Sequence, residues 1–288
     1  MTALVSLPIR CQAQEELRAW SAVPDDLIDI GAAALALAAL RFPDCDTTPY
    51  RDHLDRLATE VAALAQSLKP QRVEQIAAIL AEIIAGRHGY QGDEVTYGSP
   101  DNANLLRVID CKRGLPVALG IFYLSAARAN GWDAVGLSFP DHFLIRIEFN
   151  GRRIIIDPFN SGSVVTVPRL RELIKSKLGP TAELKPEYYT PVSTRDVLLR
   201  LQNNLKLRFI RAGVDEAASE VIEGMLLLDP GRAPLWREFG LLLTRLGEEN
   251  RAITALENYL VLASDDSARH QTAILVEQLK SLSPPGHN

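Results

Sequence analysis

His142 and Asp157 are residue types that a hydrolytic or acyl-transfer site uses, an imidazole to move a proton and a carboxylate to orient that imidazole. A thiolate would complete such a set, and of the three cysteines, Cys111 is nearest in sequence, with Cys11 and Cys45 farther upstream. Lys112 and Arg113 beside Cys111 favour a thiolate, while Asp110 opposes it. Cys111, His142 and Asp157 together would make a cysteine-dependent amidase, peptidase or acyltransferase. The plainer alternative is an ordinary thiol in a helix-to-loop connection, with a His–Asp pair that fixes a tautomer and ties the mouth of a hairpin to a helix end.

These residues need elements to hold them. Asn150-Gly151 separates "HFLIRIEF" from "RRIIIDPF", which predicts a two-residue type I′ turn and a hairpin. That turn sets Phe149 opposite Arg152, Glu148 opposite Arg153, Leu144 opposite Asp157 and His142 opposite Phe159. Alternation then puts His142, Leu144, Arg146 and Glu148 on one face with Arg153, Ile155 and Asp157. His142 and Asp157 become diagonal neighbours, and Glu148 and Arg153 an expected structural ion pair. "DAVGLSF" supplies a further strand. Before it, Gly114 and Pro116 mark the start of a helix that is apolar almost all round from Val117 to Leu124 and ends at Asn130-Gly131, as the buried centre of a domain does.

Upstream, Asp25 to Arg87 reads as three helices, and Leu54, Leu57, Val61 and Leu64 form an apolar stripe on the second. Downstream, from Thr194, a helical tail repeats with a 34-residue period that aligns Gly213 with Gly247 and Ala218 with Ala252. Trp236 and Gly240 stand at tetratricopeptide positions in the second unit. The reading is α+β: a helical region over 1–100, a core with a central helix on an antiparallel sheet over 101–180, and all-α tetratricopeptide-like repeats over 194–283.

The chain has 288 residues, 47% of them hydrophobic, enough for one large core or two modest ones, and its net charge of −5 argues against general affinity for nucleic acid or anionic membrane. An odd, widely spaced set of cysteines gives no disulfide framework, and no apolar run is long enough to span a bilayer, so a soluble cytoplasmic protein is expected. His53, His88, His142, His270 and His287 lack metal-ligand spacing, and no glycine-rich phosphate loop occurs, so no metal and no cofactor is expected.

The runs "RGLPVALGIFYLSAARANGWDAVGLSFPDHFLIRI", "IIDPFNSG" and "ALALAALRFPD" resemble the SirB family, whose middle region is a transglutaminase-like, papain-like core and which also carries a tetratricopeptide tail. The resemblance implies a cysteine at the start of the central helix, with His142 and Asp157 as its partners. Counting back from Gly131, that slot falls on Pro116, Val117 and Ala118, which hold neither thiol nor hydroxyl; family members that carry serine there would match Ala118. Asp141 also replaces the glycine usual before the histidine. A degenerate core with a regulatory, protein-binding tail is therefore expected. In such arrays the first helix of each unit lines a groove, which selects Arg200, Asn203, Leu207 and Ile210, then Pro234, Arg237, Leu241 and Thr244. Arg200, Asn203, Arg237 and Thr244 are the expected contacts for a peptide bearing a carboxylate, unless these positions pack inward instead.

Overall fold

The computed structural model describes residues 9–264 and 266–282. His287 lies outside them. The chain divides into two compact units: Val23–Leu201 with the N-terminal residues through Glu16, and Leu17–Ala22 with Gln202 onward.

In the first unit, helix α1 (Ile9–Ala22) contributes its N-terminal part, and α2 (Ile30–Ala39), α3 (Thr48–Leu68) and α4 (Val73–Ala81) follow. Asp29 caps α2 by accepting from the N–H groups of Gly31 and Ala32 at 2.9 and 3.0 Å. A π-helical turn, Glu82–Arg87, extends α4. Two short parallel strands, β1 (Gln91–Gly92) and β2 (Arg113–Gly114), flank α5 (Leu105–Cys111), and the central helix α6 (Pro116–Ala129) starts with proline in its first turn. α6 is buried on nearly every side, as its composition requires.

Strands β3 (Asp133–Gly136), β4 (Ile145–Phe149), β5 (Arg152–Asp157) and β6 (Ser163–Val164) form an antiparallel sheet in that order. Asn150 and Gly151 have φ of 51° and 72°, as a type I′ turn requires, and Phe149 pairs with Arg152 and Glu148 with Arg153. The ladder ends at Ile145–Ile156. The expected pairs Leu144–Asp157 and His142–Phe159 do not continue it, because Asp141 takes a left-handed φ of 50° and Asp157 turns its carboxylate to cap a 3-10 turn, Pro158–Asn160. Glu148 and Arg153 face each other without an ion pair, since Arg153 lines a cleft along the sheet.

Helix α7 (Val167–Leu178), together with β6, was not expected from the sequence. Its Leu170, Leu173 and Ile174 pack with Leu137 and Leu144 and against Ile155 on one sheet face. On the other face Ile145 approaches Gly120 of α6, and Phe143 fills the space between Gly120 and Gly136. Residues 190–192 lie beside β3: Ser138 N–H donates to Thr190, Val192 N–H donates to Gly136, and Pro191 bridges to Leu137.

The second unit holds the rest of α8 (Thr194–Arg211), then α9 (Asp215–Leu228), α10 (Ala233–Arg245), α11 (Glu249–Leu262) and α12 (Asp266–Leu282). The 34-residue period appears as matching turns: Gly213 and Gly247 have φ of 71° and 73°, where any side chain would be strained. Ala218 and Ala252 are fully buried at equivalent points of the second helix of each pair. Gly240 admits Leu256 at a separation that a side chain there would forbid.

A Cβ at Gly120 would sit 2.4 Å from the Phe143 ring. Gly120→Ala is therefore expected to destabilise the first unit by about 1–3 kcal/mol despite alanine's better helix propensity. Urea unfolding measures this, and the double variant with Phe143→Leu should recover part of the loss.

Candidate functional site

Asp157 stands at the end of β5 and His142 just before β4, and the two meet across the strand ends. His142 Nε2 lies 2.9 Å from Asp157 Oδ2, with both side chains buried. The carboxylate has more donors than the imidazole: Asn160 Nδ2 donates to Oδ2 at 2.6 Å, and the Phe159 and Asn160 N–H groups donate to Oδ1 at 3.0 and 3.4 Å. Burial raises the pKa of this carboxyl, but the bond and charge of His142, then Asn160 and the Phe159 N–H, outweigh burial and hold it below its ordinary value. Asp157 is thus an ionised acceptor for a hydrogen bond from the Nε2–H of His142, which fixes the orientation of the imidazole.

Arg200 holds the backbone that carries the imidazole. Its Nη2 donates to the carbonyls of Phe139 and His142 at 3.1 and 2.7 Å, bridging the loop around Asp141, and the guanidinium lies over the Phe143 ring at 5.6 Å. Burial lowers the pKa of Arg200, and Asp141 counters that. On the far side, the Phe159 ring meets His142 edge-on at 6.1 Å and covers Gly92. Tyr123 of α6 lies under Gly162 with its hydroxyl buried and without a hydrogen-bond partner; burial first, then the charge of Asp157, raise its pKa.

No thiol or hydroxyl stands at the start of α6. Pro116, Val117 and Ala118 are buried, and the Ala118 methyl would be 3.5 Å from a Cβ placed on Gly114. Cys111 is exposed at the end of α5, and it makes no hydrogen bond with His142. Its neighbours are engaged elsewhere. Lys112 Nζ donates to the Tyr90 hydroxyl at 3.1 Å, which lies 2.7 Å from Nε2 of buried His53, and Tyr50 donates to Asp110. Burial, then Lys112, lower the pKa of His53 to about 4, so its imidazole is neutral and shares a hydrogen bond with the Tyr90 hydroxyl through Nε2. Sequence spacing gave no sign of this second buried polar chain; only the clustering of His53, His88 and Tyr90 in the fold reveals it.

The expected groove contacts have separate fates. Arg200 serves the His142 loop inside the first unit, so it is withdrawn from any repeat groove. Arg237 Nε donates to Thr272 at 3.2 Å, Thr244 donates back to the Gly240 carbonyl at 2.9 Å, and Asn203 is half-buried. A cleft of about 560 Å³ in the second unit is lined instead by Trp236, Phe239 and Arg251 with Arg18 and Ser21. Trp236 was visible in the sequence as a repeat position, but the α1 residues that join it were not. Among the described residues no group of His, Cys, Asp and Glu is placed to hold a metal, and no helix is long and apolar enough to cross a membrane.

A carboxyl held low in the fold contributes stability above its unfolded-state pKa and loses it as pH falls through the folded-state value. Asp157→Asn should therefore cost about 1–3 kcal/mol near neutral pH, and the gap from wild type should close in acid below the ordinary carboxylate range. Denaturant unfolding across pH checks this; a gap that does not change with pH would contradict the ionised pair.

A family model for the transglutaminase-like superfamily matches residues 48–203, and one for the tetratricopeptide repeat matches 205–277. The chain is 28% identical over 247 residues to a UPF0162 protein of Xylella fastidiosa, covering 83% of this chain and 86% of the relative. It is 28% identical over 224 residues to "Protein SirB1" of Salmonella typhimurium, covering 77% and 82% of the two chains. The crystal structure of menin, described as revealing the binding site for Mixed Lineage Leukemia protein, aligns with a TM-score of 0.41 and 11% identity over 92% of this chain and 74% of menin, too slight a likeness to bear on function. With the model spanning more than half its length and the relatives covering most of it, the chain belongs to the transglutaminase-like superfamily as a homologue of the SirB and UPF0162 proteins, with tetratricopeptide repeats.

Proposed function

We propose that this chain is a non-catalytic regulatory protein, in which a degenerate transglutaminase-like core accompanies a repeat unit that binds a protein partner. One observation carries the reading: the position where the superfamily's nucleophile would stand is filled by buried Pro116, Val117 and Ala118, while His142 and Asp157 remain paired without a thiol beside them. The repeats support the second half, because tetratricopeptide units present helix faces suited to extended peptides. Asn203, Arg237 and Thr244 are the proposed contacts. The three cysteines are unpaired, which fits a reducing, cytoplasmic setting.

The rival enzyme reading needs Cys111 as nucleophile, and alkylation rates separate the two. With mass spectrometry following Cys111, Cys11 and Cys45, the proposal expects Cys111 to react no faster than the other two, at a rate unchanged in His142→Ala. Fast reaction at neutral pH that slows on loss of His142 would restore the enzyme.

For the interaction half, tagged full-length protein should capture from a lysate of the source organism a partner that survives a salt wash. Arg237→Ala, on a half-buried position, should weaken that capture about tenfold while leaving the fold intact. No salt-stable partner, or equal capture by the variant, would count against a repeat-borne site.

A further inference from the structure

We propose that the cleft between the four-stranded sheet and α7 binds an amphipathic carboxylate. The cleft has a volume of about 470 Å³, within the usual range of small-molecule sites, and lies wholly inside the first unit. Its walls are largely apolar, with Ile155, Val165, Leu170 and Tyr189 among them. Two arginines break that surface, Arg146 from β4 and Arg153 from β5.

Both arginines lack a counter-charge among the described residues. Arg153 stands opposite Glu148 in the ladder without pairing to it, and Asp133, opposite Glu148 on the next strand, pairs with neither arginine. Neither acid lines the cleft. The Nε of Arg146 is fully buried and has no hydrogen-bond partner, a state that a bound oxygen acceptor would relieve. Thr166 and Val167, at the N-terminus of α7, border the same space; the Thr166 side chain makes no capping bond and no acidic residue occupies the first turn. The helix dipole adds positive potential there, although Pro168 takes one N–H out of the first turn. Two guanidinium groups and a helix N-terminus on the walls of a largely aliphatic cleft suit a carboxylate attached to an apolar body.

That chemistry occurs in a free alkanoic acid and in the C-terminus of an apolar peptide. Calorimetry with the full chain uses four probes: decanoate, decylamine, an apolar peptide ending in a free carboxylate, and the same peptide amidated. Decanoate or the free-carboxylate peptide is expected to bind, while decylamine and the amidated peptide do not. The tighter of the two carboxylates identifies the source. Arg146→Gln and Arg153→Gln should each weaken binding about tenfold or more. Arg153 is exposed, so its variant keeps the fold and decides the matter if Arg146→Gln does not. Silence from both carboxylates, equal binding of acid and amine, or wild-type affinity in Arg153→Gln would overturn the proposal.

Discussion

The first unit depends on aromatic rings laid against glycines. Phe143 lies on Gly120 of the central helix and Gly136 of β3, Phe159 covers Gly92, and Tyr123 fits under Gly162. Each contact brings a ring to where a Cβ would be, so the backbones approach more closely than ordinary side chains permit. Phe143 directly follows His142, and Phe159 follows Asp157 by two residues. The packing that joins helix to sheet therefore also fixes the places of the imidazole and the carboxylate. Arg200 completes this from the backbone side by tying Phe139 and His142 together through their carbonyls.

Much of this was legible in sequence because it rests on local chemistry. Asn150-Gly151 dictates its turn, Pro116 its helix start, and the matching glycines of the tail their period, and each follows from the backbone preferences of a few residues. Tertiary partners were less legible. The expected His142–Phe159 register extrapolates an ideal ladder past Ile145, and the left-handed backbone at Asp141 ends it. Arg200 falls at a groove position by counting, yet nothing in the count shows that two carbonyls from 58 and 61 residues upstream will meet it.

α7 has no counterpart among the expected elements, while α1 falls inside the helical region expected over 1–100 without bounds of its own. α7 had a usable signal, with Leu170, Leu173 and Ile174 at helical spacing, Pro168 in the first turn and Gly179 beyond the end. Its exposed face is strongly charged, with Arg169, Arg171, Glu172, Lys175 and Lys177 among its twelve residues, which leaves only a narrow apolar stripe. α1 had little to offer, since only Ala13 and Leu17 of its described apolar residues are fully buried, too few for a stripe.

The stretch 190–192 beside β3 bears on how molecules of this chain coexist at high concentration. β5 carries three consecutive isoleucines, Ile154, Ile155 and Ile156, the kind of β-branched run that seeds intermolecular sheets when a neighbouring edge lies open. That strand is interior. One margin of the sheet is a two-residue strand, and the other is partly occupied by a segment whose Pro191 has no N–H to offer an incoming chain. The sheet thus ends in margins poorly suited to recruiting strands from another copy, a form of self-protection against aggregation that leaves its isoleucine-rich centre harmless.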